Sequence, residues 1–387
     1  MDAKAALKRS ARRASRSPAL AHAVGILERV ARPLPGVLPV LTYHRIDVPE
    51  RSPELYPGLI GATPDEFDEQ MRFLSSFYRP LSLSELLATR RGEAALPPSA
   101  VMVTFDDGYR SVAEHAWPIM QRHGVPLTLF VPTAYPGDPG KAFWWDRLWS
   151  ALGTKDAVVS TPLGDLPVRT PAERLRTYRR LRSHLKSLRH ERAMAIVADL
   201  SGASSAAAPS PSVLGWDELR RLAADGVAIG SHSRTHPLLH TVPRAEASRE
   251  IRDSLGDLER EIGPTPRVFA YPGGGVNSGV ATVLEEEGFE LAFLTRRGVN
   301  DLSRPDWLRL RRINVGRSSG LTGIRLQLLP EWARIQRMRE RKVHVFLTNQ
   351  AWGAGARHVR VGPQLSVSSA RCHSGQISDG SEDNDEQ

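Results

Sequence analysis

From residue 37 onward, short apolar runs rich in β-branched residues alternate with stretches in which apolar residues recur every three or four positions. That switch between a period of two and a period of 3.6 is the pattern of repeated strand and helix units feeding a mainly parallel sheet. Seven strands are expected, at 37–43, 100–105, 126–131, 227–231, 267–271, 289–295 and 310–315. Among the intervening helices, one is expected over 63–78, where Thr63 is an N-cap, Pro64 the first helical residue and Glu66 the partner that completes a capping box. Another is expected over 244–262, where Ile251, Leu255, Leu258 and Ile262 form one apolar stripe.

The third and fourth strands are separated by roughly 80 residues, far more than an ordinary connection, so this insertion (about 138–212) must have structure of its own. Leu175, Tyr178, Leu181, Leu185 and Leu188 recur at helical spacing with arginines on the opposite face, which predicts a helical subdomain. It opens on an aromatic cluster, Phe143, Trp144, Trp145 and Trp149. These rings can stack on sugar, or they can pack the insertion against the rest of the fold. The run 201–212, made only of Ala, Ser, Pro and Gly, reads as a flexible connector. Past residue 330 the periodicity fades, and from His373 the chain is rich in Ser, Gly, Asp and Glu, so 331–387 reads as an extension with a largely disordered tail.

Composition narrows the chemistry. At 387 residues with 41% apolar content, the chain is long enough for two ordinary domains or one large α/β barrel. With Cys372 as its single cysteine it can form no internal disulfide, and a metal would have to be held by histidine and carboxylate. The net charge of +9 suits an acidic partner. Much of the excess lies in a basic leader, 1–36, which carries Lys4, Lys8, Arg9, Arg12, Arg13, Arg16, Arg29 and Arg32, and in the arginine-rich stretch 174–192. Neither carries a nucleic-acid recognition motif, so no specific nucleic-acid partner is expected. No apolar run is long enough for a signal-peptide core or a membrane span, which predicts a cytoplasmic chain. Residues 19–30 can form a short amphipathic helix that, with the basic cluster before it, would touch an anionic membrane surface; a solvated leader is the alternative.

Two segments carry chemistry. The expected strand 100–105 runs into Asp106, Asp107, Gly108 and Tyr109. Adjacent carboxylates at the end of a buried strand need a positive partner, although Asp before Gly is also ordinary turn chemistry. The expected strand 227–231 delivers His232 and, four residues on, His236. Two imidazoles at that spacing, joined by an aspartate from another strand end, make a facial metal site with positions left open for water and substrate. In a parallel α/β barrel, functional groups gather at the carboxyl ends of the strands. His44, Asp106, Asp107, His232, His236 and Tyr271 all fall there.

The runs Thr104-Phe105-Asp106-Asp107-Gly108-Tyr109, Ser231-His232-Ser233-Arg234-Thr235-His236 and Arg267-Val268-Phe269-Ala270-Tyr271-Pro272-Gly273-Gly274 resemble the first three motifs of the polysaccharide deacetylases, the fourth carbohydrate esterase family with its NodB homology domain. The order and spacing agree over residues 37 to about 315, and the insertion with Trp144-Trp145-Asp146 resembles members associated with exopolysaccharide or capsule synthesis. The resemblance implies a distorted (β/α)7 barrel at 37–330 and metal-dependent removal of N-acetyl groups from a glycan or its lipid-linked precursor. It also assigns roles. Asp107, His232 and His236 would hold a divalent ion, usually zinc, and Asp106 would stay off the metal as general base. The backbone N–H of Tyr271 would receive the oxyanion, with Pro272 and Gly273 shaping that loop. Tyr109, Trp144 and Trp145 would face the substrate. Arg267 would orient Asp106, or else it caps the strand at the surface.

One expected element is missing. The family's late motif supplies a catalytic-acid histidine, and the corresponding stretch, Leu308 to Val315, has none. His44 is the candidate replacement, with an ordinary loop histidine as the alternative. A catalytically silent glycan- or polyanion-binding protein, or an amidase for another amide, would share this pattern.

Overall fold

The computed structural model describes residues 17–30, 34–138, 140–154, 156–204 and 212–330. The extension 331–387, residues 1–16 of the leader and 205–211 of the expected connector lie outside the described residues.

Seven strands form a closed parallel barrel: β1 (Val40–Tyr43), β2 (Ala100–Phe105), β3 (Thr128–Val131), β4 (Ala228–Ser231), β5 (Val268–Ala270), β6 (Leu291–Arg297) and β7 (Leu310–Asn314). Their order around the barrel is β1-β7-β6-β5-β4-β3-β2, and β2 returns to β1, with Val40 opposite Met102 and Tyr43 opposite Phe105. The seven are the seven expected from the apolar runs. The first is shorter than expected because Pro39, which has no N–H to donate, interrupts it. Val37–Leu38 instead pairs antiparallel with Asn300–Asp301.

Strands buried on both sides read as continuous apolar runs, yet their residues divide by parity. Leu41, Val101, Val103, Phe105, Leu129 and Ile229 share a cluster with Phe67, Met71 and Leu74 of an outer helix. Val40, Met102, Phe130, Val268, Phe293 and Leu310 join a second cluster that is closed from below by Leu83, Leu86 and Leu87. Gly230 sits where a Cβ would lie 2.8 Å from both Phe130 and Val268, so only glycine fits against those side chains.

The helices relevant to the site are α1 (Pro18–Val30), α2 (Pro64–Phe77), α3 (Trp144–Ala151), α4 (Pro171–Leu185), α5 (His190–Ala203), α6 (Arg244–Glu261) and α7 (Gly320–Leu328). The capping box at Thr63 is formed in both directions, Glu66 N–H to Thr63 Oγ1 at 3.3 Å and Thr63 N–H to Glu66 Oε2 at 3.0 Å. The expected amphipathic segment of the leader is helical, but α1 packs on the protein. Val24 is buried, and Glu28 pairs with Arg325 of α7. No described helix is long and apolar enough to cross a membrane.

The insertion has its own core of Phe143, Leu148, Trp149, Tyr178, Leu181, Leu185, Ile196 and Val197. It is less purely helical than expected. Val158–Thr161 and Gly164–Pro167 form a hairpin whose outer face is exposed and so offers little apolar signal. The small-residue run begins inside α5, which extends to Ala203.

Candidate metal centre and its cavity

The carboxyl end of β2 turns at Asp107, whose φ of 74° is left-handed, and the loop after β4 contains two more left-handed residues, Ser233 at 62° and His236 at 63°. Such conformations are uncommon for non-glycine residues and persist where the surroundings enforce them. Here α6 supplies the enforcement. Glu250 accepts from the backbone N–H of Arg234 and of Thr235 and from the Thr235 hydroxyl, while Asp257 accepts from Thr133 and from Arg234. Ser233 Oγ accepts the His236 N–H.

This loop aims two imidazoles at Asp107. Asp107 Oδ1 lies 3.5 Å from His232 Nε2 and 3.5 Å from His236 Nε2, and one ligand atom from each of the three residues falls within 4.8 Å of the others. His232 Nδ1 lies 2.6 Å from the Ala270 carbonyl, so it carries the proton there and leaves Nε2 as a free lone pair. His236 Nδ1 is buried and has no hydrogen-bond partner among the described residues. Burial, with the charge of His232, pushes the His236 imidazole down to about 3, so it stays neutral and able to ligate. For His232 burial pulls downward, but the neighbouring Asp106 and Asp107 outweigh it and raise the pKa. A buried carboxylate with two imidazoles suits a divalent ion of the zinc class, and the residues fit the group that the sequence implied.

Asp106 stands beside this centre and is not part of it. It is 1% exposed, and Arg312 of β7 grips it with both guanidinium nitrogens, Nη1 to Oδ1 at 2.7 Å and Nη2 to Oδ2 at 2.6 Å. Burial pushes the Asp106 carboxyl up. The Arg312 charge, with His232 and His44 behind it, prevails and holds it at about 2. Arg312 is itself fully buried and donates Nε–H to the Leu294 carbonyl.

Two assignments expected from sequence, for Tyr271 and Tyr109, are corrected here, and of the two readings left open for Arg267 the surface one holds. Arg267 does not reach Asp106. It precedes the first residue of β5, at the amino end of the strand and hence the opposite end of the barrel, where it is exposed and donates to the Glu287 carbonyl. The orienting arginine is Arg312. The Tyr271 N–H is not available to an oxyanion, because it donates to the Phe293 carbonyl at 3.0 Å, and its ring is buried with the hydroxyl on the Leu308 carbonyl. Gly273, which lines the cavity, takes its place as candidate backbone donor, and Pro272 is buried behind it. Tyr109 does not line the cavity either. It is 1% exposed, its hydroxyl donates to Asp146 Oδ2 at 2.7 Å, and it accepts from Trp145 Nε1 at 2.7 Å.

A cleft opens over the three candidate metal ligands. His44, Asp106, Asp107, His232, His236 and Gly273 line it from the barrel, and Trp144 and Trp145 line it from the insertion. The packing role considered for the aromatic cluster is observed, and two of its rings also line the cavity. Trp145 stacks on Phe143 at 4.4 Å with the planes 8° apart and meets His236 edge-on at 4.8 Å, so it packs the insertion and walls the site at once.

Asp146 is the buried support of that wall, accepting from Tyr109 and, at 2.8 Å, from the Tyr56 N–H. Burial pushes its carboxyl up to about 6 despite these bonds. A raised folded-state pKa means stability fully present below the usual carboxylate range near pH 4 and lost as pH rises through about 6. Asp146→Ala strands two buried donors and is expected to cost on the order of 3 kcal/mol near pH 5. Urea midpoints at pH 5 and pH 8 should fall for both proteins' common reasons, but the extra loss across pH 6 should be seen in the wild type alone.

A model of the polysaccharide deacetylase family matches residues 93–292, more than half of the chain. The chain belongs to the polysaccharide deacetylase family. It is 26% identical over 290 residues to YxkH of Bacillus subtilis (strain 168), a protein assigned to the polysaccharide deacetylases, covering 75% of this chain and 74% of that one. Over 77 residues, 20% of this chain, it is 31% identical to the poly-beta-1,6-N-acetyl-D-glucosamine N-deacetylase of Escherichia coli (strain K12), and this match spans only 8% of the relative. The fold is shared with the Streptococcus pyogenes deacetylase PplD, solved in complex with acetate, at a TM-score of 0.51 and 18% identity over 76% of this chain and 99% of that one. The (β/α)7 barrel of the deacetylase family is thus the fold observed.

Proposed function

We propose that the chain removes the acetyl group from N-acetylhexosamine units of a polysaccharide or its lipid-linked precursor and releases acetate. The observation that carries this reading is the convergence of Asp107, His232 and His236 on one point beside an uncoordinated Asp106. The name of the E. coli relative supports N-acetylglucosamine polymers as the first substrate to test.

Asp107, His232 and His236 would hold a divalent ion, zinc by preference, which when bound would supply Lewis acidity toward water and the acetamide carbonyl. Asp106 takes the proton of the attacking water, and Arg312 keeps its carboxylate ionised and fixed in the cavity wall. Gly273 offers backbone to the developing oxyanion. His44, which follows β1 and lines the same cavity, gives a proton to the departing amine in place of the histidine absent from Leu308 to Val315. Trp144 and Trp145 stack the sugar. The basic residues before Pro18 favour contact with anionic lipid on a cytoplasmic membrane face, which sedimentation with phosphatidylserine vesicles tests.

The test is acetate release by the full chain from oligomers of β-1,6-linked N-acetylglucosamine. Release should stop on chelation and return with added zinc or cobalt. The absent late histidine favours one other reading, a glycan-binding protein without turnover. Oligomer binding with no acetate released under any metal would establish that reading instead.

A further inference from the structure

The insertion contributes more than aromatic rings to the cavity. Tyr178, Arg182 and Lys186, three residues spaced four apart at the carboxyl end of α4, all line it together with the metal centre. Residues at i, i+4 and i+8 lie on one helical face, so this is a single stripe turned toward the site. The leucine pattern in the sequence had placed the arginines of this helix on the face away from its core, and Arg182 sits between those two faces.

Two features set the stripe apart from an ordinary solvated surface. Arg182 and Lys186 are half-buried, and among the described residues neither pairs with a carboxylate. The carboxylates that share the cavity are already committed, Asp106 to Arg312 and Asp107 to the histidines. Burial, with the charge of Arg182, pushes Lys186 down to about 8, which an incoming anion would reverse. The Tyr178 hydroxyl is buried and has no hydrogen-bond partner among the described residues, although buried hydroxyls are nearly always satisfied. Cations at a helix carboxyl end gain from the helix dipole, and that alone would explain one exposed lysine. It does not explain two half-buried cations lining the same cavity as the metal ligands, beside a buried tyrosine whose hydroxyl lacks a partner among the described residues.

We infer that Tyr178, Arg182 and Lys186 form a subsite for an anionic group on the glycan, either the carboxylate of a neighbouring uronate or the phosphate of a glycosyl phosphate. A neutral N-acetylglucosamine polymer would leave both cations without a counter-charge. The subsite rests on the proposed deacetylation only for its placement one sugar or so from the scissile amide, and its occupancy can be measured without turnover.

The experiment uses the full zinc-loaded chain and three probes: the neutral tetrasaccharide of N-acetylglucosamine, a hyaluronan tetrasaccharide carrying uronates, and UDP-N-acetylglucosamine carrying a diphosphate. Binding is followed by calorimetry and turnover by acetate release. The wild type should bind one anionic probe about tenfold or more tighter than the neutral one, as expected for charge-assisted hydrogen bonds, and which probe wins distinguishes carboxylate from phosphate. Arg182→Gln with Lys186→Gln should reduce that preference about tenfold, and Arg182→Lys should restore part of it. Tyr178→Phe should weaken anion binding without lowering the denaturation midpoint, because its hydroxyl is unpaired in the free protein. Equal affinity for neutral and anionic probes in the wild type, or an unchanged preference in the double variant, overturns the subsite. Acetate released from the neutral tetrasaccharide with no such preference leaves the deacetylase reading standing and removes this one. Anion preference lost in the double variant, with no acetate released from any probe, does the reverse.

Discussion

Asp106→Asn is expected to slow acetate release by about 10²- to 10⁴-fold, the range lost when a positioned general base is removed. The change is nearly isosteric, so the cavity keeps its shape, but an amide cannot accept the proton of the attacking water. It also turns an NH₂ donor toward the guanidinium that now grips both carboxylate oxygens at 2.7 and 2.6 Å. Arg312 then stays buried with its charge uncompensated, so some loss of stability accompanies the loss of rate. Rates are therefore compared per folded molecule, with the folded fraction taken from denaturant curves. Zinc content measured on the same samples separates the base from the metal centre, because Asp107, His232 and His236 are untouched. A variant that keeps more than a tenth of the wild-type rate with full zinc content would remove Asp106 from the proton-transfer step.

How much of this site could be read before any coordinates depended on the kind of signal each residue leaves. Asp106, Asp107, His232 and His236 announce themselves because each follows an apolar run whose end must be a strand terminus, and polar groups of that type are costly there without a purpose. Most of the strands were legible because they are short apolar runs buried on both faces. Arg312 was missed because it lies inside a strand rather than beyond it. Its signal was present in the alternation of Leu310 and Arg312, two residues apart and so on one face, the first in the inner cluster and the second against Asp106. The motif had drawn attention to Arg267, which stands at the start of its strand and so at the wrong end of the barrel. Tyr271 failed as a backbone donor for a non-local reason, since only the register of β5 against β6 commits its N–H to Phe293. The stripe on α4 was hidden because sequence spacing gives a residue its helical face but not which neighbouring element that face meets.

Arg312→Met is expected to be among the most destabilising single substitutions in the barrel, by about 3–5 kcal/mol, because it leaves Asp106 buried with no counter-charge. Methionine approximates the removed volume, so the loss reports on charge rather than on a cavity. Arg267→Met is the control. Its ion pair with Glu259 is exposed and 3.7 Å long, and its replacement should stay within about 0.5 kcal/mol of the wild type in urea unfolding. The double variant Asp106→Leu with Arg312→Met decides the interpretation. A buried ion pair replaced whole by apolar residues is often neutral, so the double variant should recover most of the stability that either single change loses. It should recover none of the activity, since both the base and its anchor are gone. That combination would mean that the pair is kept for what Asp106 does to water and not for what it adds to folding. A stable Arg312→Met single variant would instead mean that Asp106 is not held by Arg312 in solution, and β7 would lose its part in the site.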